Sequence, residues 1–354
     1  MSVHGPVLAS IFFCCDYELK IYQDIGCCLF IWQPWLIVYC SSIISPTNKA
    51  WSVLYNDKGV ALDAVEKGCT VCQDLQCDGS VGFGGSPDEN GETTLDAMIM
   101  DGITHDVGAV GALRRIKDVI SVARAVMEYT THTLLVGEQA TQFALAMGFK
   151  EESLTTNGST SIFNRWKDSN CQPNYWKNVV PDPKTSCGPY TPSNKLVHTK
   201  HSVALEGKNY NIDNHDTIGM IAIDLNGNIA AGTSTNGATH KVPGRVGDSP
   251  IPGSGAYADK FAGGAAATGD GDIMMRFMPS LVAVEGMRDG LSPRKAAEKA
   301  IQQIALYHPD YFGAVIAVTI KGEYGAACNG MDTFHYSVAN RQLGNTTVLS
   351  VPCL

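Results

Sequence analysis

Two strand-length apolar runs in the middle of the chain limit its fold more than anything else in the sequence. Residues 217–223 (Thr-Ile-Gly-Met-Ile-Ala-Ile) read as a buried strand. Residues 224–228 (Asp-Leu-Asn-Gly-Asn) carry an Asn-Gly turn signal, and residues 229–235 (Ile-Ala-Ala-Gly-Thr-Ser-Thr) read as the returning strand. The hairpin is read as buried in the fold. It also brings Thr235 back towards Thr217.

Thr217 follows His215 and Asp216 directly. A threonine hydroxyl is a weak nucleophile at neutral pH. If the Asp216–Thr217 bond were cut, Thr217 would gain a free α-amine with an ordinary pKa of about 8, able to take the hydroxyl proton. Nucleophile and base would then share one residue. Taken alone, a threonine that opens a strand is a structural residue.

Two later segments bear on the choice. Residues 241–250 (Lys-Val-Pro-Gly-Arg-Val-Gly-Asp-Ser-Pro) form a Gly/Pro-rich loop holding Arg245 and Asp248. A guanidinium matches a carboxylate and an aspartate accepts from an ammonium, so the pair suits the two ends of an amino-acid zwitterion. The plainer reading is a surface loop with an incidental ion pair. Residues 263–272 (Gly-Gly-Ala-Ala-Ala-Thr-Gly-Asp-Gly-Asp) allow backbone N–H groups to approach a ligand and form an oxyanion hole. The plainer reading is a tightly packed turn.

The 354 residues suffice for one large or two small domains, and 44% hydrophobic with 17% charged residues describes an ordered globular chain. A net charge of −9 without a basic stripe argues against a nucleic-acid partner. Cys69-Thr70-Val71-Cys72 is a lone CxxC with no partner pair at zinc spacing, and there is no HExxH, GxGxxG or P-loop. We therefore expect neither metal nor cofactor. Twelve cysteines fit an oxidising compartment, the alternative being free buried thiols. Residues 26–40 are apolar, but about 15 residues with an internal proline are short of the 20 or so that span a membrane. Their lead contains Asp16, Glu18 and Asp24, unlike a short basic signal-peptide lead. Asn157-Gly158-Ser159 and Asn345-Thr346-Thr347 are glycosylation sequons.

Helical spacing is expected over residues 50–67, with Trp51, Leu54, Val60, Leu62 and Val65 as core positions. It is expected again over 113–128 through Leu113, Ile116, Ile120, Ala123 and Met127. Residues 95–100 read as a buried strand, and 134–136 as a strand leading to a short helix that ends near Gly148. Residues 149–215 are polar and turn-rich, and read as a flexible tail or a long surface insertion. Helices are expected at 279–288 and, started by Ser292-Pro293, at 293–307. Strands at 313–320 and 324–327 finish the fold.

Over roughly residues 47–335 the chain resembles the glycosylasparaginase family of N-terminal nucleophile hydrolases. The resemblance rests on residues 77–89 (Cys-Asp-Gly-Ser-Val-Gly-Phe-Gly-Gly-Ser-Pro-Asp-Glu), 94–102, 106–110, 132–138, 215–220, 313–316 and 325–328. It implies an α/β (α+β) fold, a four-layer αββα sandwich. It divides the chain into a divergent segment 1–46, an α part 47–216 and a β part 217–354 released by self-cleavage at His215-Asp216-Thr217. It makes Thr217 the nucleophile, Thr235 its support, Arg245 and Asp248 the carboxylate and amine clamps, and Thr268 and Gly269 the oxyanion hole, with Val246, Gly247, Asp270 and Gly271 lining the substrate. It pairs Cys72 with Cys77, Cys171 with Cys187 and Cys328 with Cys353, and leaves Cys69 a buried free thiol. Ala297 and Ala317 stand where a further family disulfide has its cysteines.

Residues 35–40 serve as the family's first core strand, and Ser41 stands where the family has a Trp that walls the pocket. The implied activity is cleavage between an asparagine side chain and N-acetylglucosamine, by an (αβ)2 assembly in a lysosomal or secreted location. A plant-type asparaginase or β-aspartyl peptidase, and an uncut homologue that only binds, are the alternatives.

Overall fold

The computed structural model describes residues 36–193 and 217–354. The first stretch holds β1 (Leu36–Tyr39), α1 (Ile44–Tyr55), α2 (Ala61–Leu75), β2 (Leu95–Asp101), β3 (Val107–Leu113), α3 (Val119–Tyr129), β4 (Leu134–Val136), α4 (Gly137–Ala146) and α5 (Asn157–Asp168). A small ladder of β5 (Val179–Val180) and β6 (Thr191–Pro192) follows. The second stretch holds β7 (Ile218–Ile223), β8 (Ile229–Thr235), β9 (Ala256–Asp259), β10 (Gly263–Gly269), α6 (Gly271–Met274), α7 (Pro279–Arg288) and α8 (Pro293–Ala305). It ends with β11 (Gly313–Thr319), β12 (Tyr324–Asn329), β13 (Thr333–Asn340) and β14 (Thr347–Pro352).

The hairpin forms as its sequence requires. Ile218 faces Ser234 and Ile223 faces Ile229, so the register, one step further, sets Thr217 opposite Thr235. Asp224 holds the turn by accepting from the backbone N–H groups of Asn226 and Asn228. The hairpin lies within a sheet of order β14-β13-β1-β7-β8-β2-β3-β4, and a second sheet runs β12-β11-β10-β9. Strand β1 joins both β7 and β13, antiparallel to each.

Side-chain alternation divides each strand between two cores. Leu36 and Val38 of β1 meet Ile221, Ile229, Ala266 and Ile316 in the core shared by both sheets. Ile37 and Tyr39 face the other way, into a core with Leu54 of α1 and Val65 of α2. A third core packs Ala265, Ala267, Val315 and Ala317 of the smaller sheet on Val284 of α7 and Ile301 of α8. The result is a mixed α/β protein with a large sheet and helices.

The small residues at 263–269 form a strand, not the packed turn considered above. A Cβ on Gly219 would lie 2.6 Å from the Cβ of Ala266, so β7 and β10 come together only because both are small there. Other boundaries also shift. The helix expected over 50–67 is two helices, α1 and α2. Lys58 takes φ 54° ahead of Gly59, which breaks the run and leaves Val60 exposed. Over 113–128, Leu113 closes β3 and Arg115 turns at φ 58°, so the helix starts only at Val119. Leu113, Ile116, Ile120 and Ala123 still enter one core. The polar segment after 149 contains α5, started by a capping box between Thr156 and Ser159. The helix expected to reach Tyr307 stops at Ala305. Strands β13 and β14 continue the fold beyond the last strand expected from sequence.

The three disulfides Cys72–Cys77, Cys171–Cys187 and Cys328–Cys353 are formed. Cys69 is a buried free thiol, and Cys40 is buried as well. Ala297 and Ala317 are both fully buried in the third core, where α8 meets β11. Among the described residues no helix is long and apolar enough to cross a membrane. Of the apolar run 26–40, only residues 36–40 fall within the described residues, and residues 36–39 form β1.

Candidate active site

Thr217 precedes β7 directly and is only 2% exposed. Its backbone nitrogen donates to Thr268 Oγ1 at 3.3 Å, which ties the head of β7 to β10 in the facing sheet. Its own Oγ1 accepts from Ser249 Oγ at 3.4 Å. The Ser249 carbonyl in turn accepts from Thr233 Oγ1 at 2.6 Å, so the loop after β8 folds back on β8. Thr235, at the end of β8, accepts from the backbone N–H of Gly237 at 2.9 Å and closes the turn that starts this loop. Cys40 runs beside the same strand. Its thiol accepts from the Gly219 N–H at 2.7 Å and lies 3.5 Å from the Thr217 carbonyl.

Arg245 and Asp248 both reach α6. A Cβ on Gly271 would lie 2.7 Å from Asp248 Oδ1 and 3.1 Å from an Arg245 terminal nitrogen, so a glycine there lets the two converge. The ion pair considered within the loop is replaced by one across elements: Arg245 Nη2 meets Asp272 Oδ2 at 3.0 Å. Asp248 is 1% exposed, and among the described residues its Oδ2 has no hydrogen-bond partner. Burial pushes its carboxyl up to about 7, against the pull of Arg245, and Asp270 and Asp272 add to the rise. Asp270 caps α6 through the Ile273 N–H at 3.2 Å, and burial raises it to about 6.

Gly269 takes φ 139°, and a Cβ there would fall 2.4 Å from both Gly313 Cα and the Phe312 carbonyl. Only glycine fits this end of β10. Val246 is half-buried and packs over Gly111 of β3, while Gly247 lies under the Arg245 guanidinium. The structure therefore brings together Thr217, Thr235, Arg245, Val246, Gly247, Asp248, Thr268, Gly269, Asp270 and Gly271. His215 and Asp216 lie outside the described residues. Ser41 follows β1, whose register sets Tyr39 against Met220, and the Cys40 N–H donates to the Gly219 carbonyl. Residue 41 therefore comes level with the head of β7.

Sequence reasoning passed over three neighbours. Ser249, in the loop string, has no sequence signal that marks it as the neighbour of Thr217. Lys241, the loop's first residue, is buried, with Nζ donating to the Asn236 carbonyl at 2.6 Å. Burial lowers it to about 8, with Asp96 opposing. Asp96 on β2 is fully buried and accepts from the Ala112 N–H at 2.7 Å. A lone lysine in a Gly/Pro loop and an aspartate inside an apolar strand were the available signals, since each breaks its local pattern.

A buried threonine thus stands at the head of a central strand and faces a second sheet, and the loop of Arg245 and Asp248 reaches it through Ser249. A family model described as Asparaginase matches residues 37–348. The chain belongs to this asparaginase family. It is 56% identical over 322 residues to the N(4)-(beta-N-acetylglucosaminyl)-L-asparaginase of Mus musculus, a match covering 90% of this chain and 92% of that protein. It is 58% identical over 299 residues to the protein of that name from Rattus norvegicus, covering 84% and 85%.

Proposed function

We propose that the chain is an amidohydrolase that cleaves the bond between an asparagine side chain and N-acetylglucosamine, the activity named for its mouse and rat relatives. The observation that carries this reading is the setting of Thr217: buried, at a strand head, with a second hydroxyl on its Oγ1 and the Arg245–Asp248 pair alongside. In the first stage the Thr217 hydroxyl attacks the Asp216 carbonyl. Collapse of the adduct breaks the Asp216–Thr217 C–N bond and frees the α-amine, and water then hydrolyses the resulting ester, which releases the Asp216 carboxylate and restores the Thr217 hydroxyl. In the second stage that amine takes the hydroxyl proton, and Thr217 attacks the β-amide carbonyl of the substrate. Donors at Thr268 and Gly269 hold the oxyanion, and the glycosylamine leaves with a proton. Water then releases aspartate and restores the threonine.

Arg245 takes the α-carboxylate and Asp248 the α-ammonium. An ammonium would give the unpartnered Asp248 oxygen a donor and hold its carboxyl ionised. Val246, Gly247, Asp270 and Gly271 shape the wall. The three cores described above support a four-layer αββα sandwich shared by an α part ending at Asp216 and a β part starting at Thr217. Three disulfides and exposed sequon asparagines at 157 and 345 support a lysosomal or secreted location. The working assembly is (αβ)2.

The test is a denaturing gel with N-terminal sequencing, alongside hydrolysis of N-acetylglucosaminyl-asparagine. Two bands are expected, the smaller starting at Thr217, and Thr217→Ala should stay a single inactive band. Cleavage of the Ala variant at this bond would rule out the intramolecular mechanism. Turnover of β-aspartyl dipeptides without turnover of the glycosyl substrate would assign the chain to the β-aspartyl peptidase branch.

A further inference from the structure

A second concave site lies beside the loop that carries Arg245. It has a volume of about 420 Å³, within the usual range for small-ligand pockets. Trp166, Trp176 and Tyr190 line it, with Glu89, Asn90 and Lys167 at its polar positions and the Cys171–Cys187 disulfide in its wall. We propose that this pocket binds neutral sugar residues, specifically the part of a substrate glycan that lies beyond the first N-acetylglucosamine. The proposal rests on the glycosyl-asparagine reading above.

Three observations carry it. First, the wall is fixed in place. Trp166 Nε1 donates to the Pro173 carbonyl at 2.6 Å and Trp176 Nε1 to Glu89 Oε2 at 2.8 Å, while Tyr190 donates to the Ser186 carbonyl. The polar handles of all three rings are used within the protein; Trp166 is buried and backs the wall, so the half-buried Trp176 and Tyr190 are the rings that offer a ligand their carbon surfaces.

Second, the remaining chemistry selects the ligand. One carboxylate and one ammonium cancel in charge, which disfavours an anion. Lys167 also disfavours a cation, which an aromatic pocket with a carboxylate would otherwise attract. A purely apolar ligand would strip water from Glu89, Asn90 and Lys167 without replacing it. A sugar has C–H faces for the rings and hydroxyls for the carboxylate, amide and ammonium.

Third, the pocket wall and the proposed active site share a stretch of chain. The Trp166 ring stacks on His240 at 4.6 Å, Tyr175 donates to the Thr239 carbonyl at 3.1 Å, and the Glu89 N–H donates to the Lys241 carbonyl at 3.0 Å. Residues 239–241 lead straight into the loop of Arg245 and Asp248. A ligand with an asparaginyl end and a glycan end matches two sites joined in this way.

The test uses the full chain with Asn157→Gln, so that no glycan of its own at the start of α5 competes. The free trimannosyl-chitobiose core is titrated while tryptophan fluorescence is followed. kcat/KM is measured for N-acetylglucosaminyl-asparagine and for asparagine carrying the whole core. A saturable quench is expected, lost in Trp176→Ala and weakened in Glu89→Gln. The longer substrate should be favoured roughly three- to tenfold, an advantage that both variants reduce while the short substrate is unaffected. Absence of a saturable quench in the parent overturns the site. A quench without any change in the substrate ratio in either variant overturns its assignment to the substrate glycan. If neither substrate is hydrolysed, the proposed activity falls, and the titration still decides the sugar site.

Discussion

Replacing Asp248 with Asn should change the pH dependence of folding in a way the structure makes calculable. An aspartate in an unfolded chain titrates near 4. In the fold, burial holds Asp248 up to about 7. Below about 4 the carboxyl is protonated in both states and contributes nothing. Between about 4 and 7 the folded state keeps a proton that the unfolded state has lost, so stability falls as pH rises. The penalty is complete above 7. At 1.36 kcal/mol per tenfold step, the gap amounts to about 4 kcal/mol. Asparagine does not titrate, so Asp248→Asn should gain on its parent by about that amount between pH 4 and pH 8. The absolute offset is less informative. If the new amide nitrogen takes the unpartnered Oδ2 position, a buried donor costs about 1–3 kcal/mol at every pH. Asp270 titrates in both proteins and cancels to first order. The assay is urea unfolding at pH 4, 6 and 8, with both proteins carrying Thr217→Ala so that a single chain unfolds. A stability difference that changes by less than about 1 kcal/mol from pH 4 to pH 8 would refute the reasoning.

Arg245→Lys should lower kcat/KM in a fully cleaved protein by an amount on the order of 2–5 kcal/mol, since a lysine cannot reproduce a planar two-point grip on a carboxylate. Near-normal kinetics would remove this role. Gly269→Ala should cost roughly 3–5 kcal/mol in urea unfolding, because the new methyl meets backbone on two sides. Gly290→Ala, with φ 91° but open space around it, should cost only about 1–2 kcal/mol, and equal costs would show that the contacts at Gly269 relax. Ser41→Trp should lower KM for the glycosyl substrate roughly threefold by adding an apolar pocket wall. An unchanged KM would show that residue 41 does not line the pocket.

What the sequence disclosed was governed by local rules. The hairpin was legible because an Asn-Gly turn between two apolar runs has few other solutions, and the Thr217–Thr235 pairing follows from its register. The disulfides and the clustering of residues 245–248 with 268–271 came from resemblance, not from periodicity. What stayed hidden depends on contacts between distant segments. Nothing near Arg245 marks Asp272 as its partner, because α6 reaches it only after β9 and β10 have crossed the second sheet. Ser249 reads as a loop polar residue until the loop folds back on Thr233. Helix α5 has few apolar positions, and its cap pairs Thr156 with Ser159 instead of the Glu or Gln that makes the motif conspicuous. Strands β13 and β14 mix polar with apolar residues and owe their place to β1, about 300 residues earlier in the chain.

The strand order of the large sheet has a consequence for a severed chain. If the backbone opens before Thr217, strands β14 and β13 belong to the downstream piece, β1 to the upstream one, β7 and β8 to the downstream one again, and β2, β3 and β4 to the upstream one. The two polypeptides are interleaved like the fingers of clasped hands. Three of the strand-to-strand seams run between different pieces, and none can part without tearing a ladder of buried hydrogen bonds. Loss of one peptide bond therefore leaves the particle whole at any dilution that leaves it folded. Two separately made halves would have to build all three of these seams with each other before the large sheet could be complete.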